Sequence, residues 1–283
     1  MMLTPMREAG KQDEIMPIDC VSDMETRQGH IDSAVKRNLP LCGVGAVKNG
    51  KVAIVASAPS VGDYVQTLRE WDGEIWGING AFRWMIHRDI KPTAFIGVDP
   101  ELMLKDYLID PPEDATYYLA SQVHPGVFDH LVNRKVMLWH NSDKEVKWPL
   151  GSILVHGGSS CLTRAPWLAC MLGWQDVHLF GGDSSFTHKT HVYGGNIPTN
   201  FCFAEAGGEV FRTHKVMMVQ ACDVVDMVQS FPGTITAHGR GLMQSMLGDL
   251  KKSGVLDRLL EEETAELSGM NRKQRRALRH RAA

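Results

Sequence analysis

The chain has 283 residues, 43% of them apolar and 22% charged, with 30 Lys and Arg against 33 Asp and Glu for a formal net charge of −3. That balance excludes a disordered chain, a collagen and a coiled coil, and the length suffices for one large domain or two small ones. The charge is uneven: residues 270–283 hold six cations (Arg272, Lys273, Arg275, Arg276, Arg279 and Arg281) and no acid, which leaves −9 on the preceding 269.

A basic end of this kind can contact nucleic acid or an acidic partner, although it lacks interleaved aromatics and a solvated end is the plainer reading. No apolar run approaches the ~18 residues of a membrane span, and charges at 1–14 occupy the place of a signal peptide's apolar stretch. The expectation is a soluble, cytoplasmic protein. Its six cysteines (Cys20, Cys42, Cys161, Cys170, Cys202 and Cys222) form no C-x-x-C pair, and several sit among apolar residues, as buried reduced thiols do.

The first 50 residues read as an N-terminal arm with one helix near 29–37. From Lys51 short, nearly continuous apolar runs alternate with helical stretches. Strands are predicted at 52–56, 75–78, 94–98, 117–120, 136–139, 177–180 and 234–237. Helices are predicted at 63–71, 81–87, 101–108, 159–172, 215–229 and 242–252. Strands apolar on both faces and joined by helices specify a parallel sheet covered on both sides, so the fold class is α/β, doubly wound. The core unit spans 51–250, and a C-terminal helix and basic tail occupy 251–283.

In open parallel sheets ligands bind outside the carboxyl ends of the strands. Small and polar residues cluster there: Ser57-Ala58-Pro59-Ser60, Asn79-Gly80, Asp99-Pro100, His140-Asn141-Ser142, Gly181-Gly182-Asp183-Ser184-Ser185 and His238-Gly239. Each alone is an ordinary turn; their coincidence at one sheet edge is the signal. The first loop matches neither G-x-G-x-x-G nor a Walker lysine, yet its free N–H groups and the Ser60 hydroxyl can hold phosphate, unless Ser60 merely caps a helix. Asn79 can bond a base or ribose. Asp99 can bond a ribose hydroxyl or a hydrated Mg²⁺. Gly157-Gly158-Ser159-Ser160 offers a second anion-binding or capping loop.

The segments VAIVASAPSV from Val52, IWGINGAF, IKPTAFIGVDP and GGSSCLTRAPWLACMLGWQDVHLFGGDSSF together resemble the MptE-like family, which includes 6-hydroxymethylpterin diphosphokinases and motility accessory factor glycosyltransferases. They are distantly similar to bacterial CMP-sialyltransferases. The resemblance spans about 39–247 and implies a Rossmann-like nucleotide-binding domain with a flexible lid. The family's G-P-S loop corresponds to Ala58-Pro59-Ser60, with Ala in place of Gly. Its strand-end Asn and Asp correspond to Asn79 and Asp99, and its G-x-D segment to Gly181-Gly182-Asp183.

The lid is expected in the aperiodic stretch 184–213, since a long structureless segment within a domain is usually functional or disordered. It holds His188, His191 and Tyr193, and His214 follows it. His188-x-x-His191 has metal-ligand spacing but no third ligand nearby. The resemblance implies a lid histidine as general base, with His214 aligning best and His188 and His191 as rivals. An imidazole suits that task because it titrates near neutrality.

Three functions are thus expected to compete. The first is glycosyl transfer from a CMP-type nucleotide sugar to a hydroxyl acceptor. The second is ATP-dependent diphosphoryl transfer to a pterin-like alcohol, with Mg²⁺ on Asp99 and Asp183. The third is a non-catalytic nucleotide-binding or assembly module, for which the Ala58 departure is the one argument.

Overall fold

Strand β1 (Lys51–Val55) reads KVAIV, and its last four residues are all buried. A strand with no wet face belongs in the middle of a covered parallel sheet. That is its place in the computed structural model, which describes residues 22–143 and 145–252. The sheet has eight strands in the order β10-β7-β1-β2-β3-β4-β5-β6, every neighbouring pair parallel. In chain order the others are β2 (Glu74–Ile78), β3 (Ala94–Gly97), β4 (Thr116–Ala120), β5 (Lys135–Asn141), β6 (Leu154–Val155), β7 (Asp176–Phe180) and β10 (Thr234–His238).

The chain runs outward from β1 to β6 and returns to place β7 on the other side of β1. This reversal sets a topological switch point between β1 and β7. Alternation along β1 divides its side chains between two cores. Val52 and Ile54 pack with α5 (Cys161–Met171), α6 (Lys215–Ser230) and α7 (Leu242–Lys252). Ala53 and Val55 pack with Phe180, with Leu68 of α2 (Val65–Arg69) and with Trp84 of α3 (Gly80–Ile86). The doubly wound α/β expectation is met. Fully buried Trp76 and Phe180 are keystones of these cores; truncating such aromatics to Ala typically costs ~3–5 kcal/mol. Helix α1 (Met24–Lys36), capped by Asp23, packs on α4 (Pro125–His130). Among the described residues no helix is long and apolar enough to cross a membrane.

Beyond β6 and α4, which were not among the expected elements, and an earlier start for α1, the elements depart from the sequence reading in three places. The helix expected at 63–71 is a 3-10 turn over Pro59–Tyr64 followed by the short α2, and the helix expected at 101–108 is a 3-10 turn over Leu102–Tyr107. The first opens on Pro59 and the second follows Asp99-Pro100. The stretch 184–213 is not aperiodic throughout, because it contains an antiparallel hairpin of β8 (Cys202–Ala206) and β9 (Glu209–Thr213). Its two-residue turn, Gly207-Gly208, has φ of 61° and 78°, the double left-handed geometry that only glycine enters freely. The N-terminal 21 residues, with Cys20, and residues 253–283, with the basic tail, lie outside the described residues. Cys42 is buried and Cys161, Cys170, Cys202 and Cys222 are half-buried, and none of these five is in a disulfide.

Candidate functional site

Register decides what meets at the switch point. Val55 pairs with Gly77 on one side and with Phe180 on the other, and His238 pairs with Phe180. The loops leaving β1, β2, β7 and β10 therefore emerge side by side.

The β1 and β7 loops are fastened together by one carboxylate. Ser60 donates its backbone N–H to Asp183 Oδ2 at 3.0 Å and its hydroxyl to Asp183 Oδ1. Asp183 is buried, and burial pushes its carboxyl above the usual value, outweighing the Ser60 hydrogen bonds that favour the anion. Gly181 makes the approach possible: at φ 67° it lies so close to the Ala56 carbonyl that a Cβ would overlap it. Ala58 donates to the Gly181 carbonyl at 3.0 Å, with φ −64°. Alanine is unstrained there, so the Ala-for-Gly departure costs the backbone nothing.

A strap formed by residues 187–195 crosses these strand ends. Val192 donates its N–H to the Ser57 carbonyl at 2.8 Å, and Lys189 Nζ reaches the Val192 carbonyl at 3.1 Å. The strap sets His191 Nδ1 3.0 Å from Ser57 Oγ. Burial lowers the pKa of His191, and its ring stacks on Tyr193 with centroids 5.1 Å apart and planes 16° from parallel. His188 is exposed and lines a cleft of about 630 Å³ with Ser60, Asp63, Thr187 and Arg240. His214 caps α6, accepting from the Val216 N–H through Nδ1 and meeting Asn200 through Nε2 at 3.1 Å. The three candidate histidines thus have three different settings.

Asn79, at the end of β2, has φ 47° and ψ −128°, a conformation strained for any residue but glycine. Its Oδ1 is buried and has no hydrogen-bond partner. An orphaned acceptor on a strained backbone beside the switch point can take a hydrogen bond from a ligand's donor group. Asp99 Oδ1 accepts the Glu101 N–H at 2.9 Å, leaving its other oxygen available. Each Asp183 oxygen accepts one hydrogen bond from Ser60, so a Mg²⁺ ion there would share that carboxylate with the Ser60 donors. Among the described residues no group of three or more His, Cys, Asp or Glu is arranged to hold a metal ion.

Ser159 and Ser160 lie at the start of α5, but their donors are engaged within the chain. Ser159 gives its N–H (2.8 Å) and hydroxyl (2.7 Å) to Asp223 Oδ2 of α6. Ser160 forms a capping box with Thr163 and accepts from Gln220 Nε2.

Some of this was invisible in the sequence. Asp223 sits mid-helix with nothing local to mark it. On the β4–β5 side Ser121 Oγ meets His140 Nδ1 at 3.0 Å, and Asn141 donates to Gln122 at 2.9 Å. The position of Ser121 and Gln122 directly after β4 was the available signal. The cations Arg83, Arg88 and Lys189 that gather beside the strap were likewise missed.

Residues 36–189 match the model of the family described as 6-hydroxymethylpterin diphosphokinase MptE-like. A solved structure, the MAf glycosyltransferase from Magnetospirillum magneticum AMB-1, shares the fold with a TM-score of 0.59 at 14% identity, over 87% of this chain and 44% of that one. The chain therefore spans less than half the length of that glycosyltransferase. No curated protein sequence matches. The family match covers more than half of the chain and includes the β1, β2 and β7 loops that build the switch point: this chain belongs to the MptE-like family.

Proposed function

We propose that the protein is a nucleotide-dependent transferase that moves a glycosyl group from a nucleotide-activated sugar of the CMP type to a hydroxyl acceptor, with His191 as general base. The hydrogen bond between Ser57 Oγ and His191 Nδ1, at the switch point where α/β sheets bind their ligands, carries this reading. The family and the fold shared with a glycosyltransferase agree with it.

The chemistry follows from the settings described. With Nδ1 protonated and donating to Ser57 Oγ, Nε2 holds the lone pair. Burial keeps the ring neutral at pH 7. Nε2 takes the acceptor's proton as its oxygen bonds the sugar carbon, while the sugar–phosphate bond breaks and its electrons leave with the nucleotide phosphate. Asn79 Oδ1 would accept from a base amino group or ribose hydroxyl, and the remaining Asp99 oxygen from a ribose hydroxyl. Ser57 is a positioning residue. His214, engaged on both nitrogens, serves as a helix cap.

The test is CMP release from a CMP-sugar in the presence of an acceptor and of EDTA. Replacing His191 by Gln should lower kcat by roughly 10²–10⁴-fold, the usual worth of a general base. Because its folded pKa is lowered, the acid limb of the wild-type pH profile should lie below the ordinary histidine value of ~6.5. His214→Ala should keep kcat within a few-fold; if it abolishes turnover while His191→Gln does not, the base has been misassigned. AMP formation from ATP that requires Mg²⁺ and Asp99, with no CMP-sugar turnover, would replace the glycosyl reading with diphosphoryl transfer.

A further inference from the structure

Adjoining the His188 cleft, and sharing Trp84, Arg88, Lys189 and Val192 with it, lies a second cleft of about 660 Å³, between α3 and residues 189–194. Three cations line it, Arg83, Arg88 and Lys189, and so do three aromatic rings, Trp84, Tyr107 and Tyr193. None of its described lining residues is acidic. In a chain whose first 269 residues carry −9, a cleft with three cations and no acid runs against the average.

These cations are also uncommitted to carboxylates. Arg83 donates to the Asp106 backbone carbonyl at 3.3 Å and Lys189 to the Val192 carbonyl, and Arg88 is exposed. Among the described residues no acid pairs with any of the three. Trp84 is 6% exposed, lines both clefts, and its indole N–H is buried without an acceptor. Tyr193 roofs the cleft and is stacked on His191. Gly80 underlies it so closely that a Cβ there would lie 2.7 Å from the Tyr193 hydroxyl.

We infer that this cleft binds an aromatic anion, its phosphate or carboxylate held by Arg88 and Lys189 with Arg83, and its ring lying among Trp84, Tyr107 and Tyr193. Guanidinium and ammonium groups make charge-assisted hydrogen bonds to such oxygens, and flat rings both stack on an aromatic ligand and exclude water from the ion pair. Resting on the function proposed above, the ligand is the acceptor, because Tyr193 joins the cleft to the His191 ring that would take the acceptor's proton.

The experiment is a calorimetric titration of the whole chain with phenyl phosphate and, separately, inorganic phosphate. Phenyl phosphate should bind about tenfold more tightly than phosphate. Arg88→Ala with Lys189→Met should weaken both by about tenfold or more, and Arg88→Glu should do so by itself without touching the strap. Tyr193→Ser should remove only the preference for the phenyl compound. Equal affinities for the two probes, or affinities unchanged by Arg88→Glu in a protein that still unfolds cooperatively, overturn the inference. CMP titrated into Arg83→Ala, at a residue that lines this cleft and not the His188 cleft, separates it from the proposed reaction: weakened phenyl phosphate binding with CMP binding retained supports a distinct anion cleft. Binding of phenyl phosphate by a protein that takes no nucleotide would leave the cleft standing and remove the transferase.

Discussion

Two serine loops in this molecule are built alike and behave differently. In each, a serine gives both its backbone N–H and its hydroxyl to one aspartate from a distant part of the chain: Ser60 to Asp183, and Ser159 to Asp223. The first pair is buried, and Asp183 is 1% exposed. The second is half-exposed, on the face of α6. The same hydrogen bonds thus make a buried brace in one place and a water-accessible clasp in the other. A buried donor that loses its acceptor pays its full desolvation cost, whereas an exposed one turns to water.

Deleting each carboxylate should separate the two. Asp183→Ala strands the Ser60 N–H and hydroxyl in the interior and should cost about 3 kcal/mol or more in denaturant unfolding. Asp223→Ala leaves Ser159 within reach of solvent and should cost about 1 kcal/mol. Comparable losses at the two sites would mean that burial does not distinguish them.

The smallest effect concerns pH. Because burial raises the folded pKa of Asp183, the folded protein holds that proton more tightly than the unfolded chain does, and this contribution to stability falls as pH rises from the unfolded value of about 3.8 through the raised folded value. Asn at the same position does not titrate. The stability difference between wild type and Asp183→Asn should therefore be largest near pH 4 and shrink above it; a difference that grows with pH would contradict the raised carboxyl.

Much of the fold was legible in the chain because parallel strands advertise themselves. Runs such as Val52–Val55 are apolar on both faces, and the helices between them leave few topologies. The loops were legible as a group for the same reason, since Ser57, Asn79, Asp99 and Asp183 all follow strands. What each does was not, because the deciding contacts are remote in sequence: Ser60 and Asp183 are 123 residues apart, and Ser57 and His191 134. The resemblance aligns His214 best with a lid histidine, whereas a strap that folds back over β1 to bring His191 to Ser57 leaves no mark in the sequence. The β8–β9 hairpin is a different case. Its signal, Gly207-Gly208 between alternating residues, was present, but the surrounding stretch of Gly, Asn and His obscured it.

The brace also sets a rule for anyone who would redesign this site. Ser60, Ala58, Gly181, Asp183 and, from the β10 loop, Gly239, whose hypothetical Cβ would overlap Ser60 Oγ, interlock as one piece. Grafting a phosphate loop from another protein onto β1 alone would leave a buried carboxylate with no donor to meet it. In this scaffold the three loops have to be exchanged as a set.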